Sequence, residues 1–364
     1  MTGLLPEGFH DRLPPLADAA ARLEARVLGV ARGYGYEQVD PPLAEFADEL
    51  ASRLKAARMQ DAVRFVDPVS QRTLAIRPDI TAQVGRIAAT RMAHHPRPVR
   101  LSYAGSVMKL RASELRPERA MRQIGCELIG LDSVAAATEI VGVAVEALRV
   151  GGVERLAIDF TLPDLVDTLA AGGLEPATLE ALRDRLDAKD AGGVAAIDAA
   201  YLPLIEAAGP FDAAMARLRA IDAGKALASR LDGLAAIAAS LGDAATLTLD
   251  PTERHGFEYQ SWLGFSIFAG GVRGEIGRGG SYAIVHEGGR EEPAVGFSLF
   301  PDAILAELGS GERRRLFLPL GTPLERGAAL RAEGWVTVAA LEAGDSPEAQ
   351  LCSHMLGAEG PEPV

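Results

Sequence analysis

The sequence predicts an α+β fold, an antiparallel sheet with helices on one side. Its elements follow in the order strands, helix, long charged hairpin, helical insertion, strands and a closing helix. The hairpin is the first observation behind this reading: Arg100–Lys109 forms one arm, ASELRPERA the loop, and Arg122–Gly130 the return. The second is FAGGVRGEIGRGGSY, with six glycines, which leads from one strand into another, SYAIV, and not into a helix. A phosphate-cradling loop needs a helix N-terminus after its glycines. Turns between antiparallel strands and close backbone approach to a ligand explain the glycines better.

Each element has a local cause. Residues Pro15–Arg32 read as an amphipathic helix with Leu16, Leu23, Val27 and Val30 at helical spacing, stopped by Gly33. GYEQVD is a short strand entering Pro41-Pro42. Asp67-Pro68 and Ser70 turn the chain between Phe65-Val66 and a strand over Thr73–Arg77. Pro78 ends that strand, and Asp79 is placed to cap a helix reaching about Met92. In the return arm of the hairpin, Ile124, Cys126 and Leu128 share one face, while Gln123, Gly125 and Glu127 share the other. A glutamine and a glutamate flanking a glycine make a floor for a polar ligand. On pattern alone, an ordinary half-exposed sheet face is the more economical reading.

Ser133–Val150 is a helix and Glu154–Phe160 a strand. From about residue 162 to 241 the composition turns to Ala, Leu, Asp and Arg with helical periodicity, an inserted helical segment. Strands resume over Thr246–Val285 and in EPAVGFSLF, and Pro301-Asp302 opens a helix to about Leu308. Gly309–Gly311 reads as a linker, so the expected domains are 1–311 and 312–364. The second is a short strand-helix-strand appendage built from RRLFLPLG, a helix around Ala328, and WVTVAAL.

Composition narrows the function. The 364 residues are 48% apolar, 24% charged and 5% aromatic, with a net charge of −13, so a broad nucleic-acid surface is not expected. Charges break every apolar run well short of a membrane span, and the start lacks a signal peptide's apolar stretch. Cys126 and Cys352 have no metal or disulfide spacing. A cytoplasmic protein with no metal, cofactor, membrane or nucleic-acid partner is the expectation. One stretch runs against the acidic balance. Arg97, Arg100, Lys109, Arg111, Arg116, Arg119 and Arg122 stand against Glu114 and Glu118. A phosphate ligand, an acidic partner or a simple solvated hairpin each accounts for it.

Specific sequences go further. LAIRPDITAQVGRIA resembles the histidyl-tRNA ligase segment that begins Leu-Arg-Pro-Glu-Gly-Thr. RLSYAGSVMKL and RQIGCELIG resemble the two arms of the class II aminoacyl-tRNA ligase hairpin called motif 2, in its histidyl form. GGSYAIV and AVGFSLFPDAIL resemble the later histidine-binding element and motif 3. The likeness covers most of residues 1–310 in the right order and implies a class II aminoacyl-tRNA synthetase-like fold.

It also implies which residues matter. Activation of an amino acid brings two anions together and needs fixed positive charge. Lys109 stands where the family has the motif 2 arginine, losing the bidentate fork. Phe300 and Ala303 replace the glycine and arginine of motif 3, His255 an arginine, and Ser281 and Ala283 the last Arg and Asp of Gly-Gly-Arg-Tyr-Asp. No catalytic residue set is expected. The histidine-holding positions match Asp79 (in place of a glutamate), Gln123, Glu127 and Tyr282, with Gln260 where a second tyrosine is expected. Carboxylates suit an α-ammonium or an imidazole N–H.

Loss of catalytic charge, a persistent cradle and a short C-terminal part resemble the regulatory subunits of ATP phosphoribosyltransferase, a paralogous family of the ligases. That resemblance implies a non-catalytic partner of the short-form catalytic subunit, dimeric within a hetero-oligomer. It also implies feedback inhibition of histidine biosynthesis, with histidine as effector. Lys109, Arg111, Arg119 and Arg122 are a candidate anion or partner-contact surface. The rival readings are an active histidyl-tRNA ligase and a free-standing histidine-binding module.

Overall fold

The long hairpin is the axis of the molecule. In the computed structural model, which describes residues 4–51, 62–111, 117–171, 173–254, 260–305 and 314–364, its arms are β5 (Val99–Met108) and β6 (Ala120–Ile129). They pair from Val99↔Ile129 to Met108↔Ala120. Strand β6 continues the sheet to β12 (Glu291–Leu299), β11 (Gly277–Val285), β10 (Gln260–Ala269) and β7 (Leu156–Thr161), every one of these pairs antiparallel. The flanks differ from the expectation of a purely antiparallel sheet. Strands β1 (Glu37–Gln38) and β9 (Thr246–Leu249) pair in parallel with β5 and β7. A crossover separates the partners of each parallel pair, the helical insertion in the case of β7 and β9, and crossovers deliver parallel strands. With β8 (Gly209–Pro210) the sheet has nine strands, ordered β1-β5-β6-β12-β11-β10-β7-β9-β8. A small antiparallel sheet of β2 (Ala44–Phe46), β4 (Thr73–Ile76) and β3 (Arg64–Val66) accompanies it.

One face of the nine-stranded sheet is greasy because alternate residues are. Ile124, Cys126 and Leu128 of β6, Phe297 and Leu299 of β12, Phe265 and Ile267 of β10 and Ile158 and Phe160 of β7 are all buried there. They pack against α1 (Leu16–Gly33) and the helix Val134–Val150. In α1 the buried stripe is Ala19, Ala20, Leu23, Val27, Leu28 and Ala31. Leu16, expected on that stripe, is exposed in the first turn. The helix at Val134 is capped by Ser133, whose side chain accepts the N–H of Ala136 at 3.1 Å. The insertion contributes further helices, among them Pro176–Asp187, Phe211–Ile221 and Ala228–Leu241, whose apolar sides join the same core. Truncating Phe297, which is 1% exposed, to alanine is expected to cost about 3–5 kcal/mol. A lowered denaturant midpoint at unchanged slope is the readout.

The opposite face is covered over β5 and β6 by α2 (Thr81–Thr90), through Ile80, Val84 and Ala88 against Leu101, Tyr103 and Ile129. The Arg97 guanidinium ties the far end of α2 down. It donates to Ala88 O, Met92 O and the Glu292 carboxylate, the last at 2.6 Å. Asp79 does act at the helix start, one residue earlier than a standard cap: its carboxylate accepts the Thr81 N–H at 2.8 Å. Pro301–Ile304 is a single 3-10 turn; residues 306–308 of the expected closing helix and the Gly309–Gly311 linker lie outside the described residues.

The chain divides into two compact units, Met1–Leu308 and Gly309–Val364. In the second, β13 (Arg315–Leu318) pairs in parallel with β14 (Val336–Ala339) across the helix Leu324–Ala332, as its strand-helix-strand pattern predicts. Two further strands, β15 (His354–Leu356) and β16 (Pro361–Pro363), complete a four-stranded sheet. Three-residue strands with two prolines carry no alternation to read. Among the described residues no helix is long and apolar enough to cross a membrane.

Candidate functional site

The polar face of β6 is buried, not half-exposed. Gln123 and Glu127 are 0% and 1% exposed, because α2 closes over them. Every polar atom there must therefore find a partner, and a network results. The Gln123 carbonyl accepts the Ile80 N–H at 3.0 Å, while its amide donates to Ser298 Oγ at 2.8 Å and to Asp79 at 3.3 Å. Glu127 accepts from Tyr103 at 3.0 Å on one oxygen and from Tyr282 at 2.7 Å on the other. Tyr103 Oη also meets Ser298 Oγ at 3.0 Å and Thr81 Oγ1 at 3.1 Å. Four of the expected ligand residues, Asp79, Gln123, Glu127 and Tyr282, thus belong to one cluster.

Glycines shape its floor. Glu127, Gly296, Gly280 and Gly264 are successive partners across β6, β12, β11 and β10, so they share a face and leave a gutter without side chains. A Cβ on Gly296 would overlap Glu127 Oε2, and one on Gly125 would overlap the Tyr103 hydroxyl and the Phe297 carbonyl. The fifth expected residue, Gln260, lies opposite Tyr282 at a bulge of β10, and its side chain reaches over Gly280. Among the described residues its Oε1 is buried without a hydrogen-bond partner, an acceptor left for something else to satisfy.

Electrostatically the cluster is acidic and dry. Burial, aided by the nearby Asp79 charge, pushes the Glu127 carboxyl up to about 8, against the pull of the Tyr282, Tyr103 and Thr81 hydroxyls. Burial and the same carboxylates drive the Tyr103 phenol well above its ordinary range. The cluster is rich in acceptors, so the arrangement suits a ligand bearing several N–H groups or a positive charge. Sequence reasoning missed Tyr103, Ser298 and the gutter glycines Gly264 and Gly296, while Gly280 belongs to the run read as a close backbone approach to a ligand. The hairpin register would have placed Tyr103 opposite Gly125, and AVGFSLF carries Ser298 two residues from Gly296.

Two residues of the candidate anion or partner surface, Arg122 and Arg119, are engaged within the chain. Arg122 is held bidentately by Glu24 of α1 at 2.6 and 2.8 Å. Arg119 stacks 4.8 Å over Phe9, and its backbone N–H goes to Gly8 O. Lys109 pairs through its backbone with Arg119 and bridges Ala62; Arg111 is exposed. Arg116 and Glu114 lie outside the described residues, as does His255.

One substitution reads differently in three dimensions. Ser281 does not face the gutter: flanked by Gly280 and Tyr282, it points to the other side, where its Oγ accepts from Ser261 and from the Leu263 N–H. An arginine at that position would not have joined the cluster, so its loss removes no charge from this face. Ala303 is exposed on the 3-10 turn, and Asp302 beside it accepts the Arg122 N–H at 2.9 Å and pairs with Arg12.

Sheet, covering helices and polar cluster together define a class II synthetase-like protein of the histidyl type. The histidyl-tRNA synthetase family model matches residues 8–304. The chain is 43% identical to the ATP phosphoribosyltransferase regulatory subunit of Rhodospirillum centenum, over 97% of this chain and 94% of that protein. It is 40% identical to the subunit of the same name from Rhodospirillum rubrum, over 98% and 96%. The chain belongs to the family of ATP phosphoribosyltransferase regulatory subunits. Among solved structures, an ATP phosphoribosyltransferase regulatory subunit/histidyl-tRNA synthetase from Bacillus halodurans superposes with a TM-score of 0.80 at 20% identity, covering 96% of each chain. A histidyl-tRNA synthetase from a Nostoc species gives 0.77 at 15%, covering 98% of this chain and 91% of that one. At those identities the likeness is one of fold.

Proposed function

We propose that this chain performs no chemistry of its own and assembles with a short-form ATP phosphoribosyltransferase catalytic subunit. It would support the first step of histidine biosynthesis and confer feedback inhibition by histidine. Family membership supports the partner. The observation that carries the effector is the buried Glu127 carboxyl with Tyr103, Tyr282, Gln123 and Asp79 around it, an acceptor cluster suited to an ammonium or an imidazole N–H. Gln260 Oε1 offers a further acceptor. Histidine held there biases the complex between two states, and a coupling of about 1–3 kcal/mol is enough for a useful response. A dimer of the synthetase-like unit within a hetero-oligomer, a cytoplasmic location, and contact with the partner through the Lys109–Arg111 end of the hairpin complete the reading.

The test is phosphoribosyl-ATP formation by the matching short catalytic subunit, with and without this chain, across a histidine titration. Activity that requires the chain and falls as histidine rises is the expected result. No change in either property sinks the proposal. Histidine-dependent exchange of pyrophosphate into ATP by the chain alone would establish a working ligase instead, and co-purification with some other regulator a free-standing sensor.

A further inference from the structure

One arginine lies deep in the protein with no carboxylate in contact with it among the described residues. Arg77 is 4% exposed, the most deeply buried arginine or lysine among those residues. Its side chain donates to neutral oxygens: Nε to Ser106 O at 2.9 Å, and Nη1 to Pro41 O at 2.7 Å and to Gln83 Oε1 at 3.3 Å. Asp40 and Glu45 act on it only through space, and Glu45 is bonded to Arg86. Burying a charge without a counterion costs stability; what the guanidinium supplies in return is geometry.

Its three acceptors come from three separate segments. Pro41 belongs to the Pro41-Pro42 pair, Ser106 to β5 and Gln83 to α2, and the Gln83 amide returns to Pro42 O at 2.8 Å. The Arg77 backbone is fixed in the same place, donating to Leu43 O and accepting from the Met108 N–H, both at 3.0 Å. Gly105 admits the fork, since a Cβ there would overlap Nη2. Next along the chain is Pro78, whose ring fixes its own φ and restrains the residue before it. Then come Asp79, whose carboxylate accepts from Thr81 and Gln123, and Ile80, whose N–H meets Gln123 Oε1. The anchored arginine and the stiff proline thus set where Asp79 meets Gln123.

We propose that Arg77 is a positioning residue for the ligand: by pinning the segment before α2 to Pro41 and to β5, it holds the Asp79 carboxylate where the ligand's cationic group meets it. The inference rests on the histidine reading above. Its test is a double-mutant cycle on the full chain, read by calorimetric titration with L-histidine at one fixed pH. Arg77→Lys keeps the charge and loses the fork. It is expected to weaken histidine binding about tenfold, the usual worth of a hydrogen bond to a charged group. In an Asp79→Ala background no carboxylate remains to be placed, and the same change is expected to cost less than about twofold. Gly105→Ala, which displaces the fork and removes no donor, should give the same pattern, and it replaces Arg77→Lys in the cycle should that variant not fold. Wild-type affinity in Arg77→Lys and Gly105→Ala overturns the proposal, as does wild-type affinity in Asp79→Ala. So does an equal loss in both backgrounds, the mark of a purely structural clamp. Failure of wild type to bind histidine at all overturns the functional reading itself, and the inference with it.

Discussion

Glu127→Gln is expected to weaken histidine binding by about 10- to 100-fold, the loss of a hydrogen bond to a charged group in a dry site. The same substitution should change how stability depends on pH. In the folded chain the Glu127 carboxyl keeps its proton up to about 8, against an ordinary 4.5. Between those values the native state holds one more proton than the unfolded state, so stability falls as pH rises from about 4.5 to about 8. The full effect is on the order of a few kcal/mol. Glutamine cannot titrate, so the variant should lose this slope and be the more stable protein at pH 8. A cationic ligand favours the ionised carboxylate, so wild-type affinity should climb over the same interval. Denaturant midpoints at pH 5 and pH 8, with calorimetry at both, check all three. Identical slopes for wild type and variant would show that Glu127 is already charged in the folded chain.

Gly296→Ala should abolish the site while leaving the fold. The new methyl would fall on Glu127 Oε2, and the backbone carbonyl of Cys126 stands 2.7 Å from it, so the carboxyl has to swing off the Tyr103 and Tyr282 hydroxyls. The expected cost is about 1–3 kcal/mol of stability, the range for overpacking, and histidine binding lost beyond detection. Gly142→Ala is the matched control: Gly142 lies in the helix Val134–Val150 with nothing within 4 Å of its added methyl. That change should stabilise the chain by up to about 1 kcal/mol and leave binding untouched. If Gly296→Ala binds histidine like wild type, the ligand does not enter the gutter.

Much of this site is legible in the amino-acid sequence. Alternation along RQIGCELIG puts Gln123 and Glu127 on the face away from Ile124, Cys126 and Leu128, and the hairpin arms pair as their lengths require. The glycine-rich run does join antiparallel strands. Legibility stops where a distant segment intervenes. Nothing in β6 says that α2, some forty residues earlier, will close over its polar face and change a half-exposed surface into a buried network. Ser281 misleads for the opposite reason. Its place in a motif is clear, but only strand parity shows that its side chain leaves the site. The parallel pairing of β9 is hidden because a long helical insertion separates it from β7.

The sequence by itself determined the periodicities: which residues of each strand and helix face inward, where the turns fall, and which family the motifs resemble. Those properties are local, set by backbone sterics and by the spacing of apolar side chains. Tertiary structure alone decided the protonation of Glu127, the unmet acceptor on Gln260 and the glycine gutter. Each depends on desolvation or on register between strands remote in sequence, and a carboxylate acquires its character from what surrounds it in space.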